Sequence, residues 1–291
     1  MNIYSPEHQV KHSLYLSKNI EVYFKRDDMI HPFISGNKWR KLKYLLEKAQ
    51  SENKTTLVTF GGAWSNHVLA TACTGVTYGF HTIAFIRGEE IKNPVLDMCK
   101  LFGMKLLFVS REEYRDKNNL FEQIENKQEC FFINEGGASV EAALGCQEII
   151  GELQQEYDHI FCAAGTGTTV AGLAMGLDKK HLSTLLHIVP ILKNGSFILD
   201  EMRSLGAPTD QSELHLDYHF GGYAKTKPLL IDFTKEFIRT TGIMIEPTYT
   251  GKMLYALHDL ITQDRFTEGS KILVVHTGGL TGLLGHLDKF D

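Results

Sequence analysis

Lys38 stands in Ser35-Gly36-Asn37-Lys38-Trp39-Arg40-Lys41-Leu42, between a Gly-Asn turn and the first turn of an expected helix. A cation there opposes the helix dipole, which favours anions at that end. One chemistry accounts for such a lysine. A Schiff base with an aldehyde removes the free ammonium and needs a rigid point of attachment. The plainer account is a solvated lysine after an ordinary turn, and the octapeptide alone leaves both open.

Three further stretches have chemistry-bearing side chains. In Ala163-Ala164-Gly165-Thr166-Gly167-Thr168-Thr169-Val170, a strand passes through glycines into an apolar helix. Glycines expose backbone N–H groups at a helix start, a setting for phosphate, and the threonines add hydroxyl donors. No Lys-Ser/Thr pair follows, so this is not a Walker A loop, and Val170 replaces the third glycine of a dinucleotide fingerprint. A small phosphorylated ligand and a tight strand-to-helix turn both remain. In Gly61-Gly62-Ala63-Trp64-Ser65-Asn66-His67, Ser65 can cap a helix or hold a carboxylate. Asn66 can donate to a phenolate oxygen, and His67 can serve as a base, a polar contact or a structural residue. In Glu246-Pro247-Thr248-Tyr249-Thr250-Gly251-Lys252 and His276-Thr277-Gly278-Gly279, Tyr249 can pack or cover a ring. Thr277 can cap a turn or bond a pyridine nitrogen.

Metal readings are weaker. His215 and His219 are four apart, but the alternation around them suits a strand or loop better than one helix face. Asp27-Asp28 lacks a third ligand nearby, and salt bridges to Arg26 or Arg40 are the simpler expectation. No metal is therefore assigned.

The elements that position these loops are legible as short apolar runs: Thr55–Phe60, Thr82–Ile86, Leu106–Val109, Phe131–Ile133, Ile160–Ala163, Leu186–Val189 and Ile272–Val275. Continuous runs suit strands buried on both faces of parallel sheets, and the intervening lengths suit crossover helices. Trp39 to Glu52 is one, with Leu42, Leu45, Leu46 and Ala49 at helical spacing. The basic residues Lys38, Arg40, Lys41 and Lys43 read as its wet face, and residues 116–128 read as a polar surface helix. Glycine clusters follow several strands, where open parallel sheets collect ligands.

The chain has 291 residues, 43% hydrophobic and 22% charged, with a net charge of -5. That is an ordinary globular composition, with no basic excess pointing to nucleic acid or an acidic membrane. Five cysteines with no CxxC read as buried thiols, not a disulfide or zinc framework. Met1-Asn2-Ile3-Tyr4-Ser5-Pro6 lacks a basic flank and apolar core, and no run approaches a membrane span, so the expected setting is cytoplasmic.

Taken together, these motifs resemble the pyridoxal-phosphate enzymes of the 1-aminocyclopropane-1-carboxylate deaminase and D-cysteine desulfhydrase group, of the tryptophan-synthase-β-like fold type II. Lys25-Arg26-Asp27-Asp28, Gly36-Asn37-Lys38-x-Arg40-Lys41-Leu42, Gly61-Gly62-x-x-Ser65-Asn66-His67, Glu135-Gly136-Gly137-Ala138, Gly165-Thr166-Gly167-Thr168-Thr169, Glu246-Pro247-x-Tyr249-Thr250-Gly251-Lys252 and His276-Thr277-Gly278-Gly279 appear in family order along about the whole chain. The resemblance implies an α/β fold of two open, twisted, mostly parallel-sheet domains with the cofactor, pyridoxal 5'-phosphate, between them. Residues 1–47 and 154–291 would form the larger domain and 48–153 the smaller inserted one. It implies a homodimer and a small amino-acid substrate.

By the same resemblance, Lys38 bonds the cofactor, Asn66 contacts its phenolate oxygen, and Gly165, Thr166, Gly167, Thr168 and Thr169 bind its phosphate. Ser65, with Asn66, His67 and the following helix start, holds the substrate. Tyr249 and Tyr223 lie near ring and substrate, and Thr277 meets the pyridine nitrogen. Ring-opening deaminases of the group typically carry Glu after the tyrosine, Leu in the late His-x-Gly-Gly position and Gln after Ser-Asn. This chain has Thr250, Thr277 and His67, as the desulfhydrases do. The implied reaction is α,β-elimination of D-cysteine or a similar β-substituted D-amino acid. Lys38 or a neighbouring base takes the α proton, thiolate leaves, and pyruvate and ammonia follow. A deaminase, an amino-acid racemase and a non-catalytic amino-acid-binding homologue are the alternatives. The chain departs from the family at Val68-Leu69-Ala70 and Ala224-Lys225-Thr226-Lys227, and is shortened around Gly88 to Pro94.

Overall fold

The computed structural model describes residues 3–290; Met1, Asn2 and Asp291, which fall within the leader and domain readings above, lie outside it. Ten strands form two sheets. The larger comprises β1 (Glu7–Val10), β2 (Glu21–Lys25), β7 (His159–Ala164), β8 (Leu185–Pro190), β9 (Ser212–Leu214) and β10 (Lys271–Val275), in the order β1-β2-β10-β7-β8-β9. Only β1 runs antiparallel to its neighbour. The smaller comprises β3 (Thr56–Gly61), β4 (His81–Arg87), β5 (Lys105–Val109) and β6 (Cys130–Phe132), all parallel, in the order β5-β4-β3-β6.

All seven apolar runs are strands, and their burial explains why they lack alternation. In β10, Ile272 and Val274 face one core while Leu273 and Val275 face another. Side chains of a strand alternate between faces, so a strand covered twice must be apolar throughout. On one face of the larger sheet lie α1 (Ser13–Ser17), α9 (Pro228–Thr241) and α10 (Thr250–Thr262). On the other lie α6 (Val140–Gly151), α7 (Thr168–Lys179) and α8 (Phe197–Ser204). The smaller sheet is covered on one face by α2 (Asn37–Ser51), α3 (Asn66–Tyr78) and α4 (Pro94–Leu101). Its other face packs on Tyr114 and on Leu120 of α5 (Lys117–Glu122). Residue 47 falls inside α2, whose Leu42, Leu45 and Leu46 pack with Leu57 and Phe131 of the smaller sheet. α6 packs its Ala143, Ile149 and Ile150 with α7 and the larger sheet.

Two expectations are corrected. Residues 116–128 hold only the six-residue α5 and a later 3-10 turn, because Gln123 ends the helix and Asn126 turns left-handed at φ 56°. The basic residues of α2 are not a wet face: Arg40 and Lys41 are buried. Arg40 donates to both oxygens of Asp27 at 2.6 and 2.7 Å and to both oxygens of Glu152 at 2.8 Å. Glu152 also pairs with Lys25 at 3.0 Å. Asp28 meets Arg26 at 2.7 Å, so the Asp-Asp pair is consumed by the arginines its neighbourhood suggested. All five cysteines are free and buried. Among the described residues, no helix is long and apolar enough to cross a membrane.

Candidate active site

The loops after β3, β4, β6, β7, β8 and β10 converge with the start of α2 on one cavity of about 360 Å³. Its walls include Lys38, Ser65, Asn66, His67, Gly165, Thr166, Tyr223, Tyr249 and Thr277. The site thus lies outside the carboxyl ends of strands from both sheets, where loops are free to carry polar groups. A pit of about 50 Å³ adjoins it, lined by Lys38, Lys41, Gly165, Thr166, Gly167 and Thr169 among others. Thr168 lines neither; it is buried in the first turn of α7, its hydroxyl 3.4 Å from that of Thr166.

Lys38 is the second residue of α2, as its motif predicts. Its place is set by Gly36, the N-cap, at φ +63°. A Cβ there would lie 1.8 Å from the Thr277 carbonyl oxygen, so only glycine lets the two loops touch. Asn37 N–H donates to that oxygen at 3.2 Å. Lys38 is half-buried at the cavity wall, and its pKa falls to about 7, first through desolvation and then through the neighbouring Lys41. Lys41 is lowered as well, chiefly by burial, and donates to the Gly136 carbonyl at 3.1 Å.

Three helices end differently at this site. α7 starts at Gly167, φ 81°, with no side-chain cap, which leaves its first N–H groups free for an anion. α3 is capped by Ser65, whose oxygen accepts from Val68 N–H at 3.3 Å; the hydroxyl proton remains available. Capping and ligand binding are therefore compatible for Ser65. α10 carries its own acceptor: Glu246, fully buried, accepts from the N–H groups of Thr248, Tyr249 and Thr250 at 2.7, 2.7 and 2.8 Å. The Thr250 hydroxyl is turned to Glu246 and does not line the cavity.

Asn66 Oδ1 accepts from Thr281 at 2.9 Å, which leaves the amide N–H₂ beside Gly279. His67 is buried, and its Nε2 lies 2.8 Å from Thr59 Oγ1. The Thr59 hydroxyl also reaches the Ile133 carbonyl at 3.2 Å. Both contacts are satisfied when Thr59 donates to Ile133 and accepts from His67 Nε2–H, so Nδ1 is a lone-pair acceptor, and it has no partner among the described residues. Burial first, then Lys38 and Lys41, holds this imidazole well below its usual pKa, hence neutral. Tyr223 and Tyr249 meet edge to face, ring centroids 6.2 Å apart. Lys252 is buried behind them and donates to the Gly222 carbonyl at 2.7 Å, fixing the Tyr223 loop. Arg87, Glu135 and Lys41 complete the walls; Glu135 and Lys41 lie within the motifs with no role assigned to them, and Arg87, a charge at a strand end, has no signal to single it out. His215 and His219 do not form a pair: His215 Nε2 bonds His187 Nδ1 at 2.8 Å in a row of rings on the larger sheet.

Residues 9–278 match the sequence pattern of the family described as pyridoxal-phosphate dependent enzyme. The chain belongs to that family. Among relatives, a Thermotoga maritima protein with a provisional 1-aminocyclopropane-1-carboxylate deaminase name is 32% identical, over 90% of this chain and 89% of its own. The mitochondrial bifunctional D-cysteine desulfhydrase/1-aminocyclopropane-1-carboxylate deaminase of Arabidopsis thaliana is 29% identical, over 94% of this chain and 76% of its own. A solved structure described as an ACC deaminase homologue superposes with a TM-score of 0.89 at 29% identity, covering 99% of this chain and 93% of that one.

The walls fit the family's cofactor. An aldehyde needs a neutral amine, and Lys38 is the cavity lysine depressed toward neutrality. A phosphate needs N–H donors and positive charge, and the pit sets Gly165, Gly167 and Thr169 against Lys41 at an uncapped helix start. A family enzyme thus has both ends of its cofactor provided for by this chain's own groups.

Proposed function

We propose that this chain is a pyridoxal-phosphate-dependent lyase that carries out α,β-elimination on D-cysteine or a similar β-substituted D-amino acid, releasing pyruvate, ammonia and sulfide. The observation that carries it is the convergence, in one cavity, of the depressed lysine Lys38, the cap Ser65 with an available hydroxyl, and the hydroxyl-bearing Thr277. The bound cofactor supplies an aldehyde that reacts with amines and a conjugated ring that delocalises the electrons of a broken Cα–H bond.

This chain's residues do the rest. Lys38 Nζ holds the cofactor, and when freed it takes the α proton, its pKa being matched to neutral pH. Ser65 and the first N–H groups of α3 hold the substrate carboxylate. The Asn66 amide donates to the ring's phenolate oxygen. Gly165, Thr166, Gly167, Thr168, Thr169 and Lys41 hold the phosphate. Tyr249 and Tyr223 cover ring and substrate, and His67 forms part of the wall on the substrate side. Thr277 meets the ring nitrogen with a hydroxyl, which does not force protonation as a carboxylate would. A less demanding electron sink suffices when a good leaving group such as thiolate departs, and this favours elimination over cyclopropane opening.

The 1-aminocyclopropane-1-carboxylate deaminase reading is supported by the names of the relatives. Assays for pyruvate and sulfide beside α-ketobutyrate, over a panel of D- and L-amino acids, separate the two. Substitution Lys38→Ala is expected to abolish the visible absorbance of lysine-bound cofactor and at least about 10³-fold of the activity, as loss of a covalent catalytic group does. A purified protein that stays colourless after incubation with the cofactor contradicts the proposal. We further assign the chain to the cytoplasm as a homodimer; light scattering of the purified protein tests the latter.

A further inference from the structure

The cavity does not end at Arg87 and Glu135. Both also line an open basin of about 620 Å³, whose other walls are Arg111, Tyr114, Arg115 and Lys117. Four cations there face one carboxylate, and Lys117 engages that carboxylate at 3.4 Å. The side chains of Arg87, Arg111 and Arg115 form no ion pair or hydrogen bond among the described residues. The neighbouring acids Glu113 and Asp116 are turned to backbone, accepting from Ser110 N–H at 2.8 Å and Asn119 N–H at 2.9 Å.

Tyr114 organises the basin. Its ring packs edge-on to Phe60, and it bears the Arg87 guanidinium at 5.3 Å and the Lys117 ammonium at 4.9 Å from its centroid. These contacts order two of the cations without neutralising them. The Tyr114 hydroxyl is buried and turned toward the Glu135 carboxylate, so the ring, not the hydroxyl, is what Tyr114 presents to the basin. The surplus of like charge favours an oxyanion. A neutral side chain such as a thiol would leave that charge uncompensated.

We infer that the amino acid bound in this cavity carries a second anionic group, a carboxylate or phosphate, on its side chain, held by Arg87 together with Arg111 and Arg115. The inference rests on reading the cavity as an amino-acid site, and among the β-substituted D-amino acids proposed above it favours one whose β-substituent bears an oxyanion over D-cysteine itself.

Matched pairs of amino acids test it: aspartate against asparagine, glutamate against glutamine, O-phosphoserine against serine, in D and L forms. Each is titrated into the cofactor-loaded protein while the cofactor's absorbance is followed. The anionic member is expected to bind at least about tenfold more tightly, the scale of one charge-assisted hydrogen bond. The preference should shrink to about threefold or less in Arg87→Gln and in the Arg111→Gln/Arg115→Gln double variant, and weaken as salt rises. The carboxylate and phosphate arms identify which oxyanion fits. Equal binding within every pair overturns the inference. So does an Arg87→Gln variant that weakens both members by one factor, since Arg87 would then serve the α-carboxylate common to all. These outcomes leave the underlying site intact. A loaded protein whose absorbance responds to no amino acid brings down the amino-acid-site reading and the inference with it.

Discussion

Lys38 and Lys41 are three residues apart on α2, both cationic in the unfolded chain; in the fold Lys41 is buried and Lys38 half-buried at the cavity wall. Burial penalises the charged form of both, and the charge of Lys41 further penalises that of Lys38. For Lys38 the result is a pKa lowered from 10.5 to about 7. Only the neutral amine attacks an aldehyde. In the cofactor-free protein, the rate of pyridoxal-phosphate capture is therefore expected to rise with pH through about 7 and level off above it; stopped-flow absorbance measures this. A rise centred on the ordinary lysine value of 10.5 would contradict burial as the cause. The sign for stability follows the same shift. Between the folded and unfolded values the unfolded chain binds more protons, so raising the pH across that window stabilises the cofactor-free protein. At this scale the sequence was most legible where a residue broke a local rule. Lys38 was conspicuous at a helix start, whereas Lys41, Arg40 and Arg87 looked like ordinary surface charges.

At the scale of elements, the site is assembled by helix starts and the glycines that let loops touch. Ser65, Gly167 and Glu246 leave three N-termini respectively half-satisfied, open and closed to an outside anion. The Gly36 position tests the loop contact. Gly36→Ala must both strain a positive φ and displace the Thr277 carbonyl, so we expect a cost of about 2 kcal/mol or more and a melting temperature roughly 5 °C lower, with weakened cofactor retention. Gly79, at φ +78° past the end of α3, has nothing within 4 Å of its added Cβ. Gly79→Ala should cost only about 1 kcal/mol, without affecting the cofactor. Calorimetry and absorbance on both variants separate strain from contact. The strands buried on both faces were legible because they are uniformly apolar. β1, β2 and β9 were not: Glu7-His8-Gln9-Val10 and Ser212-Glu213-Leu214 are short sheet edges, and Glu21 to Lys25 is flanked by charge. Their pairing is decided by neighbours distant in sequence, so local pattern carries little of it.

For the molecule as a whole, the two sheets meet around a cavity to which each contributes strand-end loops. Arg40 is a structural tie between distant segments: it joins α2 to Asp27 and to Glu152 just past α6. Both Arg40 and Asp27 are fully buried. Arg40→Leu leaves the Asp27 charge without its partner, and we expect a loss of about 3–5 kcal/mol by denaturant unfolding. Adding Asp27→Leu to that variant should recover part of the loss, because the uncompensated charge goes with it. If the double variant is as unstable as the sum of the singles, the pair does not act as a unit.

By itself the sequence determined the fold class and marked Lys38, the Gly165 to Thr169 turn and the Ser65-Asn66-His67 turn as candidates. Strand burial, helix starts and glycine turns depend on residues close along the chain, and the motifs appear in an order that defines the family. Only the tertiary structure decided which charges are buried, which tautomer His67 presents, that Thr250 turns away from the cavity, and that Arg87 opens it onto a cationic basin. Those properties depend on distances between segments up to hundreds of residues apart. Desolvation and pairing reverse the meaning of a charged side chain there, and no local pattern records which charges will meet.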